Sequence, residues 1–260
     1  MKKKIALIQM KVLSKQREQN IKHGLELLEQ VQAGVEVAVL PEVWTTGYSL
    51  GKLSEQAETL TGELVMQLST LARRKKMHIV AGSVAMNMAG KYFNTTLVFD
   101  KNGDIIGRYN KIHLFSLFAE EKIFAPGQER TVVDIAGVKS GLAICYDIRF
   151  PELIRAMALD GAKIIYLPAE WPAVRGEAWE LMVRASAAIN QVYICAVNCV
   201  GEFKGEKFYG HSMLVSPLGE IVKIAAAEEA IIYSEIDLKQ VDAVREKMSV
   251  LQDLRQDMYK

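Results

Sequence analysis

Cysteine is scarce in this sequence, and neither sign of charge is in excess. Only three of the 260 residues are cysteine, which argues against the disulfide framework of a secreted protein and for a reducing compartment. The 32 Lys and Arg side chains balance 31 Asp and Glu, so no basic excess indicates a nucleic-acid partner. Half of the residues are hydrophobic, which is typical of a globular protein with a substantial core. We therefore expect a cytoplasmic protein that does not bind nucleic acid.

Long apolar segments are missing as well. The apolar run after the basic N-terminus, residues 5–10, is shorter than the roughly 7–15 residues of a signal-peptide core. The longest uncharged stretch, residues 185–201, contains Asn190, Gln191 and Asn198 and falls short of the roughly 20 apolar residues that span a bilayer. We expect neither a targeting peptide nor a membrane partner.

Several common catalytic motifs are absent. The sequence has no G-x-S-x-G, no G-x-x-x-x-G-K-[ST], no G-x-G-x-x-G and no H-E-x-x-H, which disfavours serine hydrolases, NTPases, dinucleotide enzymes and zinc proteases. The four histidines have no metal-ligand spacing with the cysteines, so no metal site is predicted.

Short apolar runs alternate with helical patterns, which is the signature of an α/β protein. Helices are predicted over residues 15–32, 63–76 and 177–190, with a further one that begins at Pro151. Over residues 177–190, apolar residues that recur three and four positions apart predict the helix. Candidate strands cover residues 5–10, 35–40, 79–83, 95–99, 105–109, 132–135, 141–145, 164–167, 192–197, 213–216, 221–224 and 231–236.

The elements of the two halves of the chain follow the same order. Each half has three strands separated by two helices and then a hairpin, with turns at Asn102-Gly103 and Leu218-Gly219. We therefore predict one domain over residues 1–260, built from similar halves at about 1–125 and 130–240, with a C-terminal tail over 246–260. Each half would form a mixed sheet with helices on one face. The bare faces would pack together as a four-layer αββα sandwich.

Cys145 is the most suggestive of the three thiols. It ends the apolar run 141–144 and precedes a polar turn, and the carboxyl end of a buried strand is where open α/β sheets place their ligands. Free cysteine is also among the most buried residue types, so position alone leaves a core role open. Cys195 and Cys199 lie inside the apolar run 192–200 and are predicted to be core residues on one strand face.

Two further polar residues also follow predicted strands. Glu42 follows the strand 35–40 and Lys111 follows the strand 105–109. A carboxylate at a strand end can act as a general base, and an ammonium group can hold a thiolate or an oxyanion. Each alone could equally be a solvated side chain. Together with Cys145 they make a nucleophile, a base and an electrostatic stabiliser.

The segments around these three residues resemble the signature blocks of the nitrilase, or carbon–nitrogen hydrolase, superfamily. They stand in the family's order and read PEVWTTGY at 41–48, YNKIHLF at 109–115 and GLAICYDIRFPEL at 141–153. The resemblance implies an αββα sandwich and a cysteine hydrolase that requires no metal or organic cofactor. It also implies a homodimer, to which the tail 246–260 could contribute.

The resemblance implies a role for each of these residues. Glu42 would be the base, Lys111 the oxyanion stabiliser and Cys145 the nucleophile, with the main-chain N–H of Tyr146 as a second oxyanion donor. Family members often carry a further glutamate soon after the lysine. Glu120 is the match, and Glu121 beside it is the alternative.

The segments LPAEWP at 167–172 and 175–191 are most similar to the ω-amidase branch. That branch hydrolyses the terminal amide of small dicarboxylic acid monoamides such as 2-oxoglutaramate, through a cysteine thioester, to acid and ammonia. A substrate carboxylate calls for an arginine fork, for which Arg175 beside Trp171 is the candidate. Trp44 and Tyr48 are candidate apolar walls.

Other functions stay open at this point. One is a different carbon–nitrogen hydrolase, namely an N-carbamoyl hydrolase, an aliphatic amidase or a nitrilase. A second is a catalytically silent binding protein. A third is cysteine–histidine chemistry with His113 or His211 as the base.

Overall fold

The computed structural model describes residues 2–258, and its strands and helices alternate along most of the chain. The strands are β1 Lys2–Gln9, β2 Lys11–Val12, β3 Val37–Val39, β4 His78–Val80, β5 Val84–Met88, β6 Lys91–Phe99, β7 Ile105–Asn110, β8 Thr131–Ile135, β9 Val138–Leu142, β10 Ile164–Ala169, β11 Tyr193–Asn198, β12 Val200–Phe203, β13 Glu206–Lys207, β14 Met213–Val215, β15 Ile221–Ile224 and β16 Ala230–Asp237. The α-helices are α1 Arg17–Gln30, α2 Leu53–Gln56, α3 Glu63–Lys75, α4 Pro151–Leu159, α5 Gly176–Asn190 and α6 Leu238–Lys247.

Two large mixed sheets contain most of the strands. The first has the order β16-β1-β3-β4-β6-β5, with β7 also paired to β6, and the second has the order β15-β14-β11-β10-β9-β8. The central strands of both sheets run parallel, and antiparallel partners flank them. Since ligands bind beyond the carboxyl ends of parallel strands, the loops after β3, β9 and β10 lie where a site is expected.

Alternation along β1 explains how the sheets pack. Ile5 and Leu7 belong to one buried cluster with residues of the second sheet such as Leu142, whereas Ala6 and Ile8 belong to another cluster with helical residues of α1 and α3. Because successive side chains of a strand point to opposite faces, the first sheet has one face on the second sheet and the other under helices. Gly141 of β9 lies against Met157 of α4, which covers the far side of the second sheet. The predicted αββα sandwich is confirmed.

Each predicted strand and helix is present, and all but β15 have different ends. The strand predicted over 141–145 ends at Leu142, and Cys145 instead begins a 3₁₀ turn, Cys145–Arg149. The short strands β2, β5, β12 and β13 and the helices α2 and α6 were not predicted, because short or charged segments carry little periodicity. Of the predicted tail 246–260, residues 246–247 belong to α6, 256–258 form a 3₁₀ turn, and 259–260 lie outside the described residues. The division into two similar halves stays a prediction.

Helix α5 differs from its predicted pattern in the face that it buries. Leu181 and Ile189 belong to the apolar spacing that predicts this helix, yet they are 69% and 45% exposed. The buried residues of α5 include Trp179 and Val183 instead. The helix therefore presents an apolar face to the outside. No helix within residues 2–258 combines the length and the apolar character needed to cross a membrane.

Candidate active site

Glu42 lies just beyond β3, and both sheets hold its buried carboxylate. Its Oε1 accepts hydrogen bonds from Lys111 Nζ at 2.8 Å and from Asn94 Nδ2 at 2.9 Å. Its Oε2 accepts the main-chain N–H of Glu170, which follows β10, at 3.0 Å. The main-chain N–H of Glu42 in turn donates to the carbonyl of Ala169 at 3.3 Å. These contacts fix the carboxylate at the edge where the two sheets meet.

Lys111 is fully buried between two carboxylates. Its Nζ lies 2.8 Å from Glu42 Oε1 and 2.8 Å from Glu120 Oε2. Burial alone would lower the pKa of Lys111, but the charges of Glu120 and Glu42 outweigh it and hold that pKa above the ordinary value. An ammonium group has three N–H donors, so two carboxylates leave one donor for a third acceptor.

Glu120, rather than Glu121, completes this group. Glu120 is buried in a 3₁₀ turn and also accepts the main-chain N–H of Phe115 at 2.6 Å, whereas Glu121 is exposed. Burial raises the pKa of Glu120, Lys111 opposes that rise, and the nearby charge of Glu42 adds to it. Two carboxylates thus share a single buried cation.

Cys145 stands in a tight turn after β9. It has φ +45°, a left-handed conformation that a non-glycine residue adopts only where the surroundings impose it. The turn begins at the end of a buried strand, so the thiol lies at the sheet edge that carries Glu42. The N–H groups of the first turn of a helix have no partner within it, and Tyr146 lies in that first turn.

Asp147 imposes this conformation through hydrogen bonds on both sides of the turn. Its Oδ2 accepts from the Ile144 main-chain N–H at 2.9 Å and from the Tyr109 hydroxyl at 2.7 Å. Its Oδ1 lies 3.1 Å from the His113 main-chain N and 2.7 Å from His113 Nδ1. The same carboxylate therefore joins the Cys145 turn to the loop that carries Lys111.

The surroundings of Cys145 keep its thiol protonated. Burial raises the pKa of Cys145 well above its ordinary value, and the charge of Glu42 adds to the rise while Lys111 opposes it. A thiol of this kind needs a base at the moment of attack. Glu42 interacts with the thiol and is the candidate for that base.

Cys145 opens into a small, narrow pocket. Arg149 and Arg175 bring positive charge to it, with the Arg149 guanidinium 5.0 Å from the centre of the Trp171 ring and that of Arg175 5.8 Å from the centre of the Phe115 ring. The lining residues are Tyr48, Phe115, Cys145, Tyr146, Arg149, Glu170, Trp171, Pro172 and Arg175.

Of the residues assigned to the substrate from sequence, Tyr48, Trp171 and Arg175 line this pocket and Trp44 does not. Trp44 is fully buried, donates its indole N–H to the Ala81 carbonyl at 2.9 Å, and packs so tightly on α1 that a Cβ on Gly24 would lie 2.4 Å from its ring. The assignment of Trp44 as a substrate wall was wrong, because the ring points under the helix.

His113 and His211, the two alternative candidates for the base, form hydrogen bonds away from the Cys145 pocket. His113 is bound to Asp147, and His211 Nδ1 lies 2.7 Å from the Tyr209 carbonyl. Neither lines the Cys145 pocket. Cys195 and Cys199 are fully buried, but they do not share a strand face, since Cys199 lies beyond the end of β11 and packs in the other cluster.

Asn94, Arg149 and Glu170 belong to the site and were not assigned from sequence. Glu170 had a detectable signal, because it follows β10 in a Leu-Pro-Ala-Glu segment that corresponds to the Leu-Pro-Glu segment of Glu42. Arg149 lies in the block that carried the resemblance. Asn94 lies within β6 and had no such signal.

A thiol, a carboxylate and an ammonium group at the joint edge of two sheets are the groups that an enzyme with a cysteine nucleophile requires. Comparison with known proteins gives the family. The model of the family described as Carbon-nitrogen hydrolase matches residues 4–246. The chain belongs to the carbon–nitrogen hydrolase family and is a hydrolase of non-peptide C–N bonds, which confirms the resemblance seen in the sequence.

Individual relatives match the chain over nearly its whole length. It is 39% identical to the 2-oxoglutaramate amidase of Bacillus subtilis over 259 residues, which cover 100% of both chains. It is 34% identical to the human omega-amidase NIT2 over 98% of this chain and 96% of the relative. Among solved structures, Saccharomyces cerevisiae Nit3, a member of branch 10 of the nitrilase superfamily, superposes with a TM-score of 0.90 at 30% identity, covering 98% of this chain and 96% of that one.

Proposed function

We propose that this protein is an ω-amidase, which hydrolyses the terminal amide of a small dicarboxylic acid monoamide such as 2-oxoglutaramate to the acid and ammonia. The observation that carries the proposal is a buried thiol, with a carboxylate and an ammonium group beside it, at a pocket that two arginines also line. The relatives named 2-oxoglutaramate amidase and omega-amidase support the same substrate class.

In the proposed first step, Glu42 takes the Cys145 proton as sulfur attacks the amide carbon. The carbonyl oxygen becomes an oxyanion, which accepts hydrogen bonds from the third N–H of Lys111 and from the main-chain N–H of Tyr146. Glu42 then gives its proton to the amide nitrogen, the C–N bond breaks, and ammonia leaves a thioester on Cys145. Glu120 holds Lys111 in place throughout.

In the second step, a water molecule attacks the thioester carbon and loses a proton to Glu42. The tetrahedral intermediate collapses with cleavage of the C–S bond, the acid leaves, and the proton returns to Cys145. One carboxylate thus serves as base twice and as acid twice. This matches the position of Glu42, which is held rigidly from both sheets.

The arginines of the pocket suit a substrate that ends in a carboxylate. Arg175 and Arg149 present planar guanidinium groups, which bind carboxylates with two parallel hydrogen bonds. Tyr48 and Trp171 provide apolar walls for the carbon chain. The pocket is narrow, which favours a slender chain of a few carbons over a bulky amide.

Ammonia release from a panel of substrates tests the proposal. The panel holds 2-oxoglutaramate, succinamate, an N-carbamoyl amino acid, a neutral aliphatic amide of the same length, and its nitrile. We expect kcat/KM to be highest for the two ω-amide acids, and Arg175→Ala to raise KM for these acids but not for the neutral amide. Preference for the N-carbamoyl amino acid, the neutral amide or the nitrile would refute the proposed substrate class.

We also propose that the protein acts in the cytoplasm as a homodimer. Its three cysteines are unpaired, which suits a reducing compartment. The exposed apolar face of α5, Leu181 and Ile189, lies beside the hairpin turn that carries exposed Leu218, and burial of such a face favours a second copy. Analytical ultracentrifugation should give a molecular mass of twice that of the chain, and the Leu181→Arg variant should sediment as a monomer. A monomer for the wild-type protein would contradict the proposed dimer.

A further inference from the structure

Glu170 is a buried acid in the pocket that the proposed reaction does not use. It is 2% exposed and lines the same pocket as Cys145. Within residues 2–258, its Oε2 is buried and has no hydrogen-bond partner. Buried polar groups are nearly always paired in folded proteins, so an unpaired oxygen beside the nucleophile indicates a ligand that completes it.

The position of Glu170 is fixed. Its main-chain N–H donates to Glu42 Oε2 at 3.0 Å, so its backbone cannot shift without disturbing the base. Its side chain lies against Gly47, which has φ +53° and where a Cβ would stand 3.3 Å from Glu170 Oε1. The absence of a side chain at position 47 gives the carboxyl group its space.

The charges around Glu170 favour its neutral form. Burial raises the pKa of Glu170 well above the ordinary value, the charges of Glu42 and Glu120 add to the rise, and Lys111 opposes it. The Lys111 ammonium is already bound to both of the other carboxylates. A neutral carboxyl group carries an O–H donor, which a carboxylate lacks.

Glu170 also lies between the proposed base and an arginine of the pocket. On one side its main-chain N–H contacts Glu42, which in the proposed reaction acts at the scissile amide. On the other it is followed by Trp171, over which the Arg149 guanidinium stands. An acceptor oxygen on the carbon chain, between the amide and the terminal carboxylate, is the group that this arrangement would meet.

We propose that Glu170 is a specificity-determining residue, a neutral carboxylic acid that donates a hydrogen bond to an uncharged acceptor oxygen on the substrate chain. This inference rests on the proposed function and deepens it. In a 2-oxo acid monoamide the acceptor is the 2-oxo oxygen. Glu170 thereby selects 2-oxo ω-amide acids over the same acids without the oxo group.

A matched pair of substrates tests this role. 2-Oxoglutaramate and glutaramate differ only in the 2-oxo group, so the ratio of their kcat/KM values isolates the acceptor oxygen. We expect Glu170→Ala to lower kcat/KM for 2-oxoglutaramate by about 10- to 100-fold, chiefly through KM, and to change the value for glutaramate by less than about threefold. Glu170→Gln keeps a neutral donor and should retain most of the preference.

The control variant is Glu177→Gln, which removes an exposed carboxylate from the first turn of α5 and should leave the ratio unchanged. Equal loss on both substrates in Glu170→Ala would overturn the inference, because it would indicate a purely structural role. If glutaramate is hydrolysed and the ratio is the same in all variants, the inference fails and the proposed function stands. If the wild type hydrolyses neither acid, the proposed function fails.

Infrared difference spectroscopy tests the protonation state without any substrate. The wild-type minus Glu170→Gln spectrum at neutral pH should contain the carbonyl stretch of a protonated carboxylic acid, and that band should shift on deuteration. Carboxylate bands in its place would overturn the inference, since an ionised Glu170 would instead suit a substrate ammonium group.

Discussion

Replacement of Lys111 by methionine is the perturbation whose consequences follow most directly from the structure. Methionine has a similar length but no charge. Lys111 is fully buried and lies 2.8 Å from both Glu42 and Glu120, so Lys111→Met leaves two buried carboxylates without their cation. Breaking a buried ion pair costs about 3–5 kcal/mol of unfolding free energy. Loss of one oxyanion donor lowers kcat by about 10²–10³-fold.

The loss of stability should depend on pH in a definite direction. Burial raises the pKa of Glu120 and Lys111 opposes that rise, so removal of the Lys111 charge raises the pKa of Glu120 further in the folded variant. A group with a raised folded pKa gives stability that is complete below its unfolded pKa, about 4.3 for Glu, and is lost as the pH rises. The unfolding free energy of Lys111→Met should therefore be closest to that of the wild type near about pH 4 and should fall furthest below it above neutrality.

Urea unfolding and ammonia release measure the two effects separately. Lys163→Met is the matched control, since Lys163 forms a partly exposed ion pair with Asp242 at 2.6 Å and such pairs contribute about 0–1 kcal/mol. Adding Glu120→Gln to Lys111→Met should recover part of the stability and none of the activity. If Lys111→Met unfolded like Lys163→Met, or kept wild-type kcat, the assignment of Lys111 would be refuted.

Three further predictions concern the nucleophile turn, the core and the thiol. Asp147→Asn should lower the unfolding free energy by about 1–3 kcal/mol and lower kcat, because the amide cannot accept all four donors; unchanged kcat in steady-state assays would contradict it. Gly24→Ala should lower the unfolding free energy in urea by about 1–3 kcal/mol and leave KM unchanged, because the new Cβ would lie 2.4 Å from the Trp44 ring. A raised KM would indicate that Trp44 does contact the substrate. The rate of Cys145 alkylation by iodoacetamide should still increase with pH above about 8.5, the ordinary thiol pKa, because burial and the Glu42 charge raise the pKa of Cys145. A rate that reaches its plateau below neutral pH would contradict this prediction.

The sandwich could be predicted because its central strands are apolar runs whose ends are marked by polar residues. Glu42, Lys111 and Cys145 each follow such a run, and parallel topology brings strand ends to one edge. This geometric rule depends on local sequence and can be applied without a structure. The exact end of β9 could not be predicted, because Cys145 takes its left-handed φ from contacts with Asp147 and its partners.

The parts that could not be predicted depend on contacts between distant segments. Trp44 is next to Glu42 and Val43 in sequence, but its ring is buried in the core, where it packs against Gly24 of α1. The apolar residues of α5 have the spacing of a buried stripe, yet Leu181 and Ile189 are exposed, and periodicity cannot distinguish a buried apolar face from an exposed one. Asn94 reaches Glu42 across the first sheet, which no local pattern indicates.

Identification of the acylated residue is the most direct test of the central claim, covalent catalysis by Cys145. Wild-type protein is mixed with 2-oxoglutaramate, quenched in acid within the first turnover, and analysed by mass spectrometry both intact and as peptides. We predict an added mass of the substrate minus ammonia on the peptide that carries Cys145, and neither adduct nor ammonia release from Cys145→Ala. An adduct on Cys195 or Cys199, or undiminished ammonia release by Cys145→Ala, would contradict the claim.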